Sequence, residues 1–309
     1  MNPEPMRPDE ATPIRAGMVA VVGRANVGKS TLVNRALGEK VSIVSPVAQT
    51  TRNLIRAILT EPRGQMVFLD TPGVHKAQSD LGKVMNRIAR ASIEGVDAVL
   101  LVLDTSRAPR LEDEGWMRRL AHEDIPVLIV VNKTDMEEDH DAEYRELWGR
   151  IVDEKGGHRE PEWRRVSATT GDGVDPLLDR MFELAPEGPL LFPEDVLTDF
   201  PRKLTIADII REKYFHCLEQ ELPHSMAIWI ETIEEAEDRW NVSGVIYVNR
   251  HSQKGIVIGE RGRLLRRIRR SAEQELSDLY EVRVRLHLRV KVEKNWSRNY
   301  WLLRNMGLA

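Results

Sequence analysis

GRANVGKS, residues 23–30, is the stretch on which the fold turns. It fits G-x-x-x-x-G-K-[ST], a phosphate-binding loop, and it lies in the context that such a loop needs. An apolar strand, MVAVV at residues 18–22, leads into it, and an apolar-periodic helix with Leu32, Val33, Ala36 and Leu37 follows. Gly23 and Gly28 allow the backbone of Arg24, Ala25, Asn26 and Val27 to curl until its N–H groups face a phosphate. The helix N-terminus adds favourable dipole charge there. Lys29 then reaches the β- and γ-phosphates, the Ser30 hydroxyl ligates Mg2+, and Thr31 continues the lining into the helix.

Three further motifs follow in order, each at the end of a predicted strand. DTPG, residues 70–73, comes after QMVFL at 65–69. Asp70 holds Mg2+ through water, Thr71 and Pro72 make the turn, and the Gly73 N–H senses a γ-phosphate. NKTD, residues 132–135, ends the continuous apolar run 125–131, which suits a parallel sheet covered on both faces. Beside Asn132 and Lys133 in that loop, the Asp135 carboxylate accepts two hydrogen bonds from guanine, N1–H and the 2-amino group. Adenine would leave the same carboxylate unpaired, so the loop selects GTP and speaks against an ATP-using kinase. SAT (Ser167, Ala168, Thr169) supplies a backbone N–H for guanine O6.

The chain has 309 residues, enough for two domains with a core each. Its net charge of −4 is unevenly spread: residues 1–202 hold 26 Lys and Arg against 34 Asp and Glu, while residues 250–309 hold 15 against 6. That is −8 at one end and +9 at the other, an asymmetry that points to a nucleic-acid surface near the C-terminus. A protein or membrane surface docked on that basic region is the alternative. Cys217, the single cysteine, can make no internal disulfide and reads as a packed thiol in a reducing cytosol. No segment approaches the roughly 18 apolar residues of a membrane span. Residues 1–15, with four prolines and no apolar run, read as a disordered tail and not as a signal peptide.

Strands alternate with helices over residues 16–185, with strands near 18–22, 55–60, 65–69, 97–103, 126–131 and 163–166. Helices fall near 29–37, 80–94, 111–121, 140–155 and 174–184. The expected fold is an α/β P-loop GTPase domain with a mostly parallel, doubly wound sheet and its ligand loops at the carboxyl ends of the strands. Residues 38–53 and 74–83 are polar, irregular and close to the phosphates, as switch segments should be. Residues 186–202, with Pro186, Pro189, Pro193 and Pro201, read as a semi-stiff linker to a smaller α+β domain over 203–309. There an amphipathic helix is expected over 205–222, strands over 226–234 and 240–249, a helix over 263–279 and a last strand over 282–292. Between the second strand and the helix over 263–279 comes KGIVIGERG, residues 254–262.

A G-x-x-G (Gly259, Glu260, Arg261, Gly262) between Ile-Val-Ile and an Arg-rich helix resembles a type II KH domain. In such a domain the glycines let a tight loop clamp about four nucleotides. The resemblance names Arg250, Lys254, Ile258, Gly259, Glu260, Arg261, Gly262, Arg263, Arg266 and Arg267 as RNA-binding. Periodicity makes residues 255–258 a strand, whereas the resemblance makes them a short helix. Glu260 places a negative charge in the clamp, offset by Arg261 and Arg263.

GRANVGKS, QTTR (residues 49–52), DTPG, NKTD, SAT and the KH loop together resemble the bacterial Era family, from about residue 16 to the end. The resemblance implies a GTP- and GDP-binding switch with slow hydrolysis that binds the 3′ end of 16S rRNA and assists 30S subunit assembly. It also implies a monomer, cytoplasmic and peripherally associated with the inner face of the cell membrane, with a helix at its C-terminus. Thr50 and Thr51 compete for the Mg2+-ligating switch role, and register with relatives favours Thr51. Val74 stands where many GTPases place a water-orienting Gln. In relatives of the family an Asn at the position of Asn26 coordinates K+ beside the phosphates. The implied catalytic set is therefore Lys29, Asn26, Thr51 and Gly73 with Mg2+ and K+, and no side-chain base.

Overall fold

A computed structural model of the chain describes residues 13–45, 51–75, 80–155, 160–218 and 225–308. The apolar runs of the first half pair into a six-stranded sheet: β1 (Arg15–Val22), β2 (Ile55–Glu61), β3 (Gly64–Asp70), β4 (Ala98–Asp104), β5 (Val127–Asn132) and β6 (Glu162–Arg165). Their order is β2-β3-β1-β4-β5-β6. Every neighbouring pair is parallel except β2 with β3, a short antiparallel hairpin at one edge. β3, β4 and β5 are buried at every position, which is why their sequences show no polar alternation. Helices α1 (Lys29–Leu37) and α5 (Val174–Leu184) cover one face, and α2 (Asp80–Ala91), α3 (Leu111–Leu120) and α4 (Asp141–Lys155) lie on the other side. Strand order reverses at β1, so the loops after β1, β3, β4 and β5 gather at one crevice.

β1 begins at Arg15, within the stretch read as tail: Arg15 pairs with Gly64, and its guanidinium donates to the Ala185 carbonyl (2.9 Å). Residues 1–12 lie outside the described residues.

Residues 186–200 do not hang free between domains. The Ala16 N–H donates to the Pro186 carbonyl (3.0 Å), the Gly188 N–H to the Ile14 carbonyl (3.1 Å), and the Ile58 N–H to the Leu197 carbonyl (2.8 Å). Thr198 bridges to Ala57, and its hydroxyl donates to the Arg56 carbonyl (2.6 Å). Phe192 and Val196 pack against the apolar core. The physical reason is the edge: β2 would otherwise present unpaired backbone groups, and this strap covers them. Gln65, fully buried, fastens it by accepting from the N–H groups of Leu191 and Phe192 (2.8 Å each) and donating to the Phe192 carbonyl (3.0 Å).

The second domain starts with α6 (Arg202–Phe215). It adds β7 (Met226–Glu235), β8 (Arg239–Val248), α7 (His251–Ile258), α8 (Arg263–Tyr280), β9 (Arg283–Val292) and α9 (Tyr300–Asn305). Its sheet runs β7-β8-β9, with the first pair antiparallel and the second parallel. The expected amphipathic helix ends at Phe215 and is buried nearly all round, including Asp208, Arg211 and Glu212. The first domain packs on the face that a lone domain would leave to water. Lys40 pairs with Glu212 and Glu275 (2.7 Å each), and Ile43 joins the core around α6. On the opposite face of the small sheet, Leu81 and Met85 of α2 are buried with Val245, Tyr247, Trp296 and Leu302. Cys217, just past α6, is a half-buried thiol packed at the margin of this core.

Replacing Gln65 with Ala leaves two strap amides without their acceptor. The urea midpoint should fall by the equivalent of about 2–4 kcal/mol; an unchanged midpoint would show that the strap is held by other means.

Candidate nucleotide site and nucleic-acid face

Three side chains from three elements converge at the bottom of the crevice. Ser30, at the start of α1, donates its hydroxyl to Asp70 Oδ2 at the end of β3 (2.7 Å), and Thr51 Oγ1 stands 3.0 Å from the same hydroxyl. Asp70 is fully buried, and its Oδ1 has no hydrogen-bond partner. Burial pushes its carboxyl up, opposed by the Ser30 bond and the Lys29 charge. A buried carboxylate oxygen without a donor, flanked by two hydroxyls, suits a hard cation with oxygen ligands, and the residues fit Mg2+. Thr51 stands at this corner, while Thr50 and Gln49 lie outside the described residues.

The loop above this corner is shaped for an anion. Lys29 is buried and donates to the carbonyls of Gly23 (3.3 Å) and Arg24 (3.0 Å). Burial pushes its ammonium down to about 8, with Asp70 acting the other way. A phosphate arriving beside it would supply the counter-charge that restores the charged form. Gly28 has φ +99, and a Cβ there would overlap the Asn132 side-chain amide, so only glycine fits. Asn26 adopts φ 65, a left-handed conformation that asparagine tolerates better than most residues. Ala25, Asn26, Gly28, Lys29, Ser30, Thr31, Thr51 and Gly73 line one cavity together with Ile43, Val44 and Ser45. The turn after β3 folds back onto the loop: Val74 N–H donates to the Gly23 carbonyl (3.2 Å) and Ala25 N–H to the Val74 carbonyl (3.3 Å). The Val74 side chain is half-buried against the core.

Several expected contacts turn out to face the protein. Val27 is fully buried, and Thr71 spends its hydroxyl on the Val21 carbonyl (2.8 Å). Pro72 is buried in the turn. Arg24 turns its guanidinium to Asp113. Asn132 donates from Nδ2 to the Val27 carbonyl (2.8 Å) and accepts at Oδ1 from the Ala168 N–H (2.9 Å), bolting the phosphate loop to the SAT loop. With Ala168 so engaged and the Ser167 N–H on the Asp172 carbonyl (2.9 Å), the expected guanine O6 donor is Thr169 or an Ala168 N–H shared with Asn132. Asp135 is exposed; Ser167 Oγ donates to its Oδ1 (2.6 Å), which orients the carboxylate and leaves Oδ2 for a base.

Two residues that sequence reasoning missed complete this end. Arg35 of α1 donates to the carbonyls of Ala168 and Thr169. Asp104, at the end of β4, accepts from Lys133 Nζ (2.7 Å). Burial pulls the Asp104 carboxyl up, but Lys133, Ser106 and Arg24 outweigh it and hold the group below the ordinary range. Its only signal in the sequence is an Asp at the carboxyl end of a buried strand.

In the second domain, residues 255–258 are helical, as the resemblance implies and periodicity does not. Only Val257 of α7 is buried, and Gln253 caps the helix start by accepting from the Arg250 N–H (3.0 Å). Gly259 has φ +72, and a Cβ there would lie 2.6 Å from Leu264 Cβ; Arg261 (φ 50) and Gly262 (φ 74) continue the tight turn. Arg250, Glu260, Arg261, Arg263, Arg266 and Arg267 are exposed around it, with Lys254 and Ile258 half-buried on α7. Glu260 lies 3.7 Å from Arg263. Arg263, Arg266, Arg267 and Arg270 line a cleft of about 290 Å3 along α8.

A GTPase on one side and a KH fold on the other are also what comparison with known proteins finds. Residues 18–133 match the family model described as 50S ribosome-binding GTPase, and residues 221–297 match that of the KH domain. GTPase Era of Geotalea uraniireducens (strain Rf4) is 42% identical over 294 residues, 95% of this chain and 97% of its own. The chain belongs to the Era family of GTPases. A second Era, from Caldanaerobacter subterraneus subsp. tengcongensis, is 42% identical over 96% of this chain and 98% of its own. Among solved structures, Era in complex with MgGDPNP and nucleotides 1506-1542 of 16S ribosomal RNA aligns with a TM-score of 0.87 and 36% identity, covering 96% of this chain and 99% of that one. A variant of Aquifex aeolicus Era bound to GDP.AlF4- aligns with a TM-score of 0.86 and 36% identity, covering 96% of this chain and all of that one.

Asp135→Asn turns an acceptor into a donor at the base. GTP affinity should drop by about two orders of magnitude, while xanthosine triphosphate, whose C2 carbonyl needs a donor, should gain. Equal GTP affinity in the variant, measured by competition with a fluorescent nucleotide, would remove Asp135 from the base site.

Proposed function

We propose that this GTPase binds 16S rRNA near its 3′ end through the G-x-x-G turn and the arginines of α8, and assists assembly of the 30S subunit. The observation that carries the reading is a relative aligned over 96% of this chain that holds nucleotides 1506-1542 of that RNA. The exposed basic rim around Gly259 and Gly262 supplies the chemistry: phosphates of a single strand against arginines, with a backbone close enough to grip.

At the nucleotide, Ser30, Thr51 and Asp70 would hold Mg2+, which when bound neutralises charge on the β- and γ-phosphate oxygens. Lys29 adds a buried positive charge from within the loop, and the N–H of Gly73, which lines the same cavity, would serve the γ-phosphate. Val74 can neither accept nor donate a proton through its side chain, so the attacking water is positioned by backbone groups and turnover is slow. Asn26 would hold K+ beside the phosphates, where other systems bring in an arginine. The chain acts as a cytoplasmic monomer with peripheral contact at the inner face of the membrane; among the described residues no helix is long and apolar enough to cross it.

Two experiments test these readings. Gly259→Asp with Gly262→Asp should cost at least about tenfold in affinity for an rRNA 3′-end oligonucleotide, with GDP binding as the control for folding. Unchanged RNA affinity would favour a protein or membrane partner on the basic domain instead. Hydrolysis in KCl should exceed that in NaCl at equal ionic strength, and equal rates would remove K+ from the site.

A further inference from the structure

Arg24 sits inside the phosphate loop, yet its side chain leaves the pocket. It is 6% exposed and points beneath the loop, where Nε donates to Asp113 Oδ2 (2.9 Å) and Nη2 lies 3.6 Å from Asp104 Oδ2. The same Asp104 oxygen accepts from Lys133 Nζ (2.7 Å), the lysine of NKTD, two residues before Asp135. Asp113 is fixed in turn by the Arg110 N–H (3.0 Å) and stands 3.4 Å from the buried Tyr144 hydroxyl. On its other side, Arg24 gives its carbonyl to Lys29 Nζ (3.0 Å).

Two cations and two carboxylates therefore form a neutral cluster that spans both ends of the nucleotide site. Asp104 is shared, so one oxygen links the guanine-reading loop to the phosphate loop at Lys133, a second tie beside the bond from Asn132 to Val27. A guanidinium faces two carboxylates with its nitrogens fixed in one diverging plane and so sets their spacing; an ammonium has its three donors on one rotatable atom and holds no such fixed fork. Guanine and phosphates are two ends of one ligand, and a small error in the spacing of their loops weakens whichever end is reached second.

We propose that the Arg24 side chain is a positioning group for guanine recognition, which sets the guanine-reading loop through Asp104 and Lys133 without itself touching the nucleotide. The proposal rests on Asp135 being the acceptor for the guanine 2-amino group. A purely structural Arg24 would, when lost, weaken all nucleotides equally. A positioning Arg24 would, when lost, weaken those that depend on Asp135 most.

The test compares GDP with inosine diphosphate, which lacks the 2-amino group, on the full chain with Mg2+ present. Arg24→Lys keeps a cation beside the carboxylates but loses the rigid fork whose Nε faces Asp113 and whose Nη2 faces Asp104. Arg24→Met with Asp113→Leu removes one charge of each sign and leaves the Asp104–Lys133 pair intact, so no buried carboxylate is orphaned. Both are measured at a temperature where circular dichroism reports the native fold. The expected result is a preference for GDP over inosine diphosphate reduced by about tenfold in each variant. A preference equal to the parent's, with both nucleotides weakened alike or neither weakened, would overturn the proposal. A parent protein with no preference would overturn the Asp135 reading beneath it.

Discussion

A loop that binds phosphate must keep most of its own N–H groups unspent, so its shape has to be held from behind. Here much of that duty falls to the Asn132 amide, which donates to Val27 on the phosphate loop and accepts from Ala168 on the SAT loop. The contact is buried, it joins three strand ends, and it forces glycine at position 28 because the amide fills the space of a side chain. Around it the sheet does the coarse work. β1, β4 and β5 run parallel in perfect neighbour order, which brings their carboxyl ends together before any side chain acts.

The second support is electrostatic. The Arg24 cluster holds three buried charges, Arg24, Asp104 and Asp113, with the half-exposed Lys133 closing it on the solvent side, and burial alone would make the three unfavourable. Such clusters hold geometry well because any one missing partner leaves another stranded. The site thus combines a neutral brace and a charged one, both passing under the ligand instead of through it.

What the sequence revealed and what it hid follow from range. GRANVGKS, DTPG and NKTD were legible because their chemistry is local: the strand, the turn and the functional residue lie within a few positions. The strap was misread because prolines at 186, 189, 193 and 201 suggest a spacer, while the unpaired edge of β2 that captures it lies over a hundred residues earlier. α6 looked amphipathic because its second burying partner, the segment around Ile43, belongs to the other domain. The Ile256-Val257-Ile258 run is apolar enough for a strand, and the cap at Arg250 and the positive φ at Gly259 are what make it a helix end. Arg35, Asp104 and Asp113 carry no motif at all; their partners are found only once the sheet is assembled.

Thr51 stands beside Ser30 and Asp70, and the next residue, Arg52, is buried under the small domain. Its guanidinium donates to the Met226 carbonyl (3.1 Å) and lies 5.9 Å from the Trp296 ring. The strap gives that adjacency its meaning. A free tether of the length between β6's following helix and α6 would let the small domain wander through a cloud of orientations, each docking event fighting the loss of that freedom. Fastened to β2 as far as Asp199, the tether leaves only Phe200 and Pro201 before α6 begins, so any reorientation of the small domain has its hinge there. Such a domain would turn like a door on a fixed jamb, with few orientations to sample, and a displacement at Thr51 would not be dissipated in a floppy connection.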